Sequence, residues 1–337
     1  MSEAIIHAYM SGFSGTIDDP AADEWLNDQL EFQNYGEVCD KFGLWTDGEV
    51  EDGLYLPYLA VVKAEGERLG ISGTLAELSR DERINPWPES QTTGDCVSHW
   101  CRNACDIARA LDIYAKGEFE EWRVRTATEP IYGARGHAGQ GANCSKLAGF
   151  VSVQGGMMLR KNYSDLKLDL SRYNASIGDQ WGRSGVPEAV KSEAKKHQII
   201  NVTRITDAEQ FRQAYRNGLA VGGCSDIAFS RSRDANGYSR VSGSWNHAMQ
   251  GIGYDEREVV KEKYGERLVC EVNSWGKWNS GGRRILGTEI DIPHGSCWVK
   301  ESDYLRRKVN GGGCFVLAGA QGWEMTRLVS LGFSPLG

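Results

Sequence analysis

The chain has 337 residues, a net charge of −8, 40% hydrophobic and 25% charged residues, a composition that suits one large globular domain or two ordinary ones around a substantial core. No run approaches the ~18 to 20 apolar residues of a membrane span, and no basic stripe interleaved with aromatics suits nucleic acid. The start, Met1 to His7, lacks the basic and apolar regions of a signal peptide, so a non-secreted chain is expected, cytoplasmic or held in a particle, with neither membrane nor nucleic acid as partner.

The charge is uneven: residues 1–90 hold 19 Asp/Glu against 5 Lys/Arg. An acidic front of this kind could bind a partner, although a solvated face explains it as well. Residues 1–87 read as a mostly helical lead-in with a docking or regulatory role. Asp19-Pro20 opens a helix through Trp25, Leu26, Leu30 and Phe32, with Pro at its first position. Gly48 to Gly53 is an acidic turn, Leu54 to Leu69 a second helix ending at Gly70, and Thr74 to Arg80 a short third. Pro86-Trp87-Pro88 then breaks the chain.

Gln91 to Cys101 is a polar turn running into a long helix. Apolar or small residues fall at Val97, Trp100, Cys101, Ala104, Cys105, Ala108 and Leu111, the spacing of one buried helix face. Asp95 stands where an N-cap belongs, and Cys96 therefore lies over the unpaired N–H groups of the first turn. The partial positive charge there favours thiolate. This helix should end near Gly117.

Residues 129–160 are glycine-rich and imply tight turns and close backbone approach. Short helices follow at Val186 to Lys196 and Asp207 to Asn217, the second stopped by Gly218. Period-two patterns then mark strands at Leu219 to Gly223, His247 to Tyr254 and Leu268 to Asn273, with late strands at Cys297 to Val299 and Cys314 to Leu317. Asp255 to Arg267 reads as a long hairpin loop. Helices first and antiparallel strands afterwards indicate an α+β fold with a cleft between the halves.

Nine cysteines form no small-domain disulfide framework, so mostly reduced thiols are expected. Cys96, His99, Cys101 and Cys105 lack the second cluster that a zinc site needs, and no metal or other cofactor is expected. His99, His137 and His294 read as structural.

Gln91, Cys96, Asn246-His247-Ala248, Gly253-Tyr254 and Asn273-Ser274-Trp275-Gly276 follow one another in the order Gln, Cys, His, Asn. This arrangement resembles the papain-like cysteine peptidases over roughly residues 88–320, with 321–337 left as a C-terminal tail. The resemblance implies a helical left half built on the Cys96 helix, an antiparallel right half, and a cleft between them. It further implies catalysis by Cys96 as nucleophile, His247 as general acid and base, and Asn273 as the group orienting His247. Gln91 would supply an oxyanion donor, a contribution of ~3 to 4 kcal/mol in comparable enzymes. Trp275 would shield the His247–Asn273 bond. Peptide or isopeptide bonds are the implied substrate class.

The sequence departs from the family in three places. Gln91 stands one residue closer to the Cys than usual, with Ser90 in the expected place, and Val97 replaces the Trp that normally follows the nucleophile. Residues 1–90 do not show the long helical pattern of papain-type inhibitory pro-segments. Unsecreted papain-like chains with extra terminal regions resemble proteins encoded in bacteriophage and prophage genomes. That likeness implies a second reading, a virion-associated structural or assembly protein with little or no activity, docked to other virion proteins through the acidic region.

Overall fold

A computed structural model describes residues 15–31, 34–42, 53–116, 124–308 and 313–320. Phe32, most of the acidic turn before Gly53, the end of the Cys96 helix near Gly117 and the tail 321–337 lie outside these residues.

The first helices are α1 (Pro20–Gln29) and α2 (Tyr35–Phe42). Asp19 caps α1 by accepting from the Ala22 N–H at 3.1 Å. A two-residue strand, β1 (Leu54–Tyr55), precedes α3 (Tyr58–Arg68), so the single helix expected from Leu54 starts later. The cause is tertiary: Leu54 and Tyr55 pair with Asp255 and Tyr254, and a strand already in the sheet sets their backbone. The short helix α4 (Leu75–Arg80) begins with a complete Thr74–Glu77 capping box.

The long helix α5 (Cys96–Lys116) is buried on nearly every side. Val97, Trp100, Cys101, Ala104, Cys105 and Ala108 face a core shared with α6 (Glu129–Gly133) and α7 (Cys144–Gly149). Its opposite side places Ile107, Ala110 and Leu111 in a second core, built on α3 and the sheet. Between these apolar faces lie Arg102, Asp106 and Arg109, all buried. Charges so placed need partners, since burying an unpaired one costs several kcal/mol. Arg102 bonds to Glu89 at 2.8 Å, and Asp106 accepts from the Thr126 N–H at 2.9 Å.

After α7 come the hairpin β2 (Asn162–Tyr163) and β3 (Leu168–Asp169), then α8 (Ala175–Ser184) and α9 (Glu188–Ala194). The strand β4 (Ile199–Arg204) has no counterpart in the sequence reading, and α10 (Ala208–Arg216) is capped by Asp207. The remaining elements are β5 (Val221–Phe229), β6 (Val241–Asp255), α11 (Glu258–Tyr264), β7 (Leu268–Val272), β8 (Ser296–Lys300), α12 (Glu301–Lys308) and β9 (Cys314–Ala320). The loop expected between Asp255 and Arg267 thus carries a helix, ended by Gly265 at φ 83°.

The main sheet is antiparallel throughout, in the order β4-β9-β5-β6-β7-β8 with β1 on β6. The architecture is α+β, with α5 lying between the helical half and the sheet. Residues 54–64 contribute to the sheet and its core, so this part of the lead-in is built into the body of the protein. Among the described residues no helix is long and apolar enough to cross a membrane.

Seven of the nine cysteines are free, in line with mostly reduced thiols, and two are paired. Cys144 and Cys224 form a disulfide, joining α7 of the helical half to β5 of the sheet across 80 residues of sequence. Their spacing carried no sign of it, because only the tertiary fold brings the two together. A cross-link of this kind typically contributes about 2–4 kcal/mol.

Candidate active site

The start of α5 sets Cys96 against β6. Its side chain is fully buried, and the backbone N–H of Ala248 points at its sulfur together with those of Val97 and Cys96 itself. Burial nevertheless dominates and pushes the thiol up to about 12, with Asp95 adding to the rise against those N–H groups. The sequence expectation of a thiolate favoured by the helix start is therefore half right. The first-turn N–H groups do favour the anion, but exclusion of water outweighs them.

Asp95 does not cap α5 with its side chain. One carboxylate oxygen accepts the Tyr173 hydroxyl at 2.8 Å and the other takes no hydrogen bond. Its backbone carbonyl instead accepts from Ser98 and His99 at 3.0 and 3.2 Å. Tyr173 also accepts from the Thr92 N–H at 3.1 Å, so one phenol holds both ends of the turn before Cys96. His99 lies behind this turn, 3.5 Å from Asp95. Arg102 can only donate to His99 Nδ1 at 3.2 Å, which places the His99 proton on Nε2, facing Asp95.

Glu89 steadies the approach to the turn. Arg160 bonds to it at 2.6 and 2.9 Å, and Arg160 also bonds to Glu129 at 2.6 Å. Burial alone would raise the Glu89 carboxyl, but Arg102 and Arg160 beside it hold it well below the usual carboxylate range. Tyr173, Glu89 and Arg160 were invisible in the sequence as parts of this site, since each comes from a different element.

On the sheet side, His247 Nε2 lies 2.8 Å from Asn273 Oδ1. An amide oxygen only accepts, so Nε2 carries the proton and Nδ1 is left as the basic nitrogen. Trp275 stacks on the imidazole with centroids 4.6 Å apart and planes at 29°. Trp245, which the sequence reading passed over, meets the ring edge-on at 5.1 Å. Its place two residues before His247 in an alternating strand was the available signal.

Gln91 joins the two halves. Its backbone N–H donates to the Ser274 carbonyl at 2.8 Å, and its side-chain amide oxygen accepts the Ser274 hydroxyl. The amide nitrogen donates to the Thr93 carbonyl at 2.9 Å. Ser90 pairs with Trp275 and lies against Gly276, where a Cβ would come within 2.5 Å of the serine oxygen. Gln91 and Ser90 thus both meet the chain after Asn273, Gln91 at Ser274 and Ser90 at Trp275.

The cleft is not open above Cys96. Residues 15–17 lie across it, with Thr16 paired in parallel to Ala142. Ile17 N–H donates to Ala142 at 3.0 Å, and Ala142 N–H donates back to Gly15 at 3.3 Å. Asn143 reaches the Ile17 carbonyl at 3.2 Å from the same wall, and Asn246 reaches the Thr16 carbonyl at 2.9 Å from the other. A Cβ on Gly15 would sit 2.2 Å from the Asn246 carbonyl oxygen and 2.8 Å from Cys96 Sγ. The acidic front lacks the long helical pattern of papain-type pro-segments; this part of it lies over the thiol in extended form.

Comparison with solved structures aligns 95% of this chain with 81% of digestive procathepsin L2 proteinase from Tenebrio molitor larval midgut, at a TM-score of 0.51 and 10% identity. The fold is papain-like. Procathepsin L 3 from the same tissue matches at TM-score 0.46 and 10% identity, over 88% of this chain and 79% of that one. Xylellain, a cysteine protease from Xylella fastidiosa, matches at 0.45 and 14%, over 69% and 83%. No family model and no curated protein sequence matches the chain. The start of α5 carries Cys96, while β6 carries His247 and the chain just after β7 carries its partner Asn273.

Proposed function

We propose that the protein is a papain-like cysteine peptidase whose cleft is closed by its own residues 15–17. The observation that carries this reading is the seating of the Cys96 sulfur on the N–H of Ala248, the residue that follows a His247 oriented by Asn273. In the reaction Cys96 gives its proton to His247 and attacks the carbonyl carbon of a peptide or isopeptide bond. The oxyanion forms near the Cys96 N–H and the Gln91 side chain, which turns from Thr93 to donate to it. His247 then protonates the leaving amine, and the thioester is hydrolysed by a water that His247 activates. Asn273 keeps the imidazole in the one tautomer that serves both steps.

Residues 15–17 must leave before a substrate can bind, and leaving also lets water reach Cys96 and lowers the cost of forming the thiolate. The likeness to a procathepsin along nearly the whole chain fits a latent form. A thiol-directed epoxide followed by peptide mapping tests the assignment. Modification should fall on Cys96 and be lost in His247→Ala; labelling spread over several thiols regardless of His247 would remove it.

The burial of Cys96 also favours a second reading, a protein that keeps the fold without turnover and docks through its acidic region in an assembly such as a virion. Peptide hydrolysis by the isolated chain after removal of the covering segment would decide for the enzyme.

A further inference from the structure

We propose that the Cys144–Cys224 disulfide is a reducible crossbar that keeps residues 15–17 seated over Cys96, so that a dithiol opens the cleft. The regulatory meaning rests on the peptidase reading above; the gating itself concerns only access to the Cys96 sulfur.

The covering strand and the disulfide span the same gap. Residues 15–17 are bonded to Ala142 and Asn143 on the helical wall and to Asn246 on the sheet wall. Cys144 directly follows Asn143, and Cys224 pairs across β5–β6 with Ala248, two residues beyond Asn246. Both cysteines line one cavity of about 360 Å³ together with Thr16, Ile17, Asn143 and Asn246. The strand thus depends on two walls standing at a fixed separation, and the disulfide fixes it there. Hydrogen bonds to both walls cannot persist once the walls part, because a bond lengthened beyond about 3.5 Å is lost.

On the other side of Cys96 the halves meet, among the described residues, through non-covalent contacts that include Gln91 with Ser274, Ser90 with Trp275 and Glu82 with Lys277 and His294. The crossbar is the covalent tie between the walls, and the one that a reductant can remove. Cys224 is partly exposed at the cavity while Cys144 is buried, so a reductant meets the Cys224 sulfur first. A thiolate of the dithiol attacks Cys224 Sγ, the S–S bond breaks, and its electron pair leaves on Cys144 Sγ, which takes a proton from water. The second thiol of the reagent then displaces Cys224 as thiolate, which is protonated in turn. The reagent ends as a cyclic disulfide and the protein as two thiols, a two-electron reduction. Asp18, Asp23 and Asp226 line the same cavity, so an uncharged dithiol should act faster than anionic glutathione.

The test is the rate of Cys96 carbamidomethylation by iodoacetamide at neutral pH, read by peptide mapping. It is measured on the oxidised full chain, on the same chain after dithiothreitol reduction and removal of the reagent, and on the Cys144→Ser/Cys224→Ser double variant. Reduction should raise the rate at least about tenfold, as expected when a cross-link that suppressed local opening is lost. The double variant should start at the raised rate and ignore the reductant. Equal rates before and after reduction of the wild-type chain would overturn the proposal, as would a double variant that still responds. The wild-type comparison stands even where the variant folds poorly. Peptide turnover in the reduced sample reads the other question separately: labelling that rises without turnover sinks the peptidase reading and leaves the gate standing.

Discussion

At the scale of single residues, Gly15 and Gln91 show how much a backbone contact can decide. Gly15 is the one covering residue that touches both the nucleophile and the main chain beside His247. Its missing side chain is a steric requirement, because the Asn246 carbonyl that a Cβ would strike belongs to a paired strand and cannot move aside. Gly15→Ala should therefore unseat residues 15–17 and raise Cys96 alkylation by about tenfold, the factor for ~1.4 kcal/mol of weakened seating. An unchanged rate in the oxidised chain would show that this segment does not guard the thiol. Gln91 teaches the converse. Counting residues from Cys96 placed it out of register, yet it lies on Ser274 because Thr93 and Asp95 fold the turn back upon themselves. Cys96, His247 and Asn273 stand out in the sequence as candidates because their neighbours form local motifs. Tyr173, Glu89 and Trp245 do not, since nothing local distinguishes a residue that reaches the site from afar.

Among the elements, those whose signals lie within their own residues came out as read. The helix α10 is the clearest: Asp207 accepts from the Glu209 and Gln210 N–H groups at 2.9 Å each, and Gly218 stops the chain at φ 81°. Asp207→Ala should cost about 1 kcal/mol of stability in denaturant titration, with Cys96 reactivity unaltered. A loss of reactivity alongside stability would mean that α10 is coupled to the cleft. The elements that departed did so for tertiary reasons. Leu54 and Tyr55 are strand because β6 offers a free edge to pair with, and β4 is strand because β9 lies beside it. Where the central helix would lie and which face it buries were legible. That its other side would be buried as well, with Arg102, Asp106 and Arg109 paired inside, was not, because a pattern of charges looks solvent-facing until a partner covers it.

For the whole molecule, the decisive quantity is water exclusion. Burial pushes Cys96 up to about 12 and holds Cys105 and Cys270 well above the ordinary thiol value of 9. The unfolded chain releases these protons near pH 9 while the folded chain keeps them. Stability from these thiols is thus complete below about pH 9 and falls above it, by about 1.4 kcal/mol per pH unit for each. Guanidinium midpoints should accordingly drop between pH 8.5 and 10.5; a flat profile would mean that the thiols are not shut away from water. The sequence by itself determined the α+β class, the long central helix and the candidate residues Cys96, His247 and Asn273, because periodicity, capping and short motifs act over a few residues. Only the tertiary structure decided that residues 15–17 close the cleft and that Cys144 and Cys224 tie its walls. Both depend on chain segments distant in sequence meeting in space, and the energy that joins them belongs to the packing of two halves rather than to any one stretch.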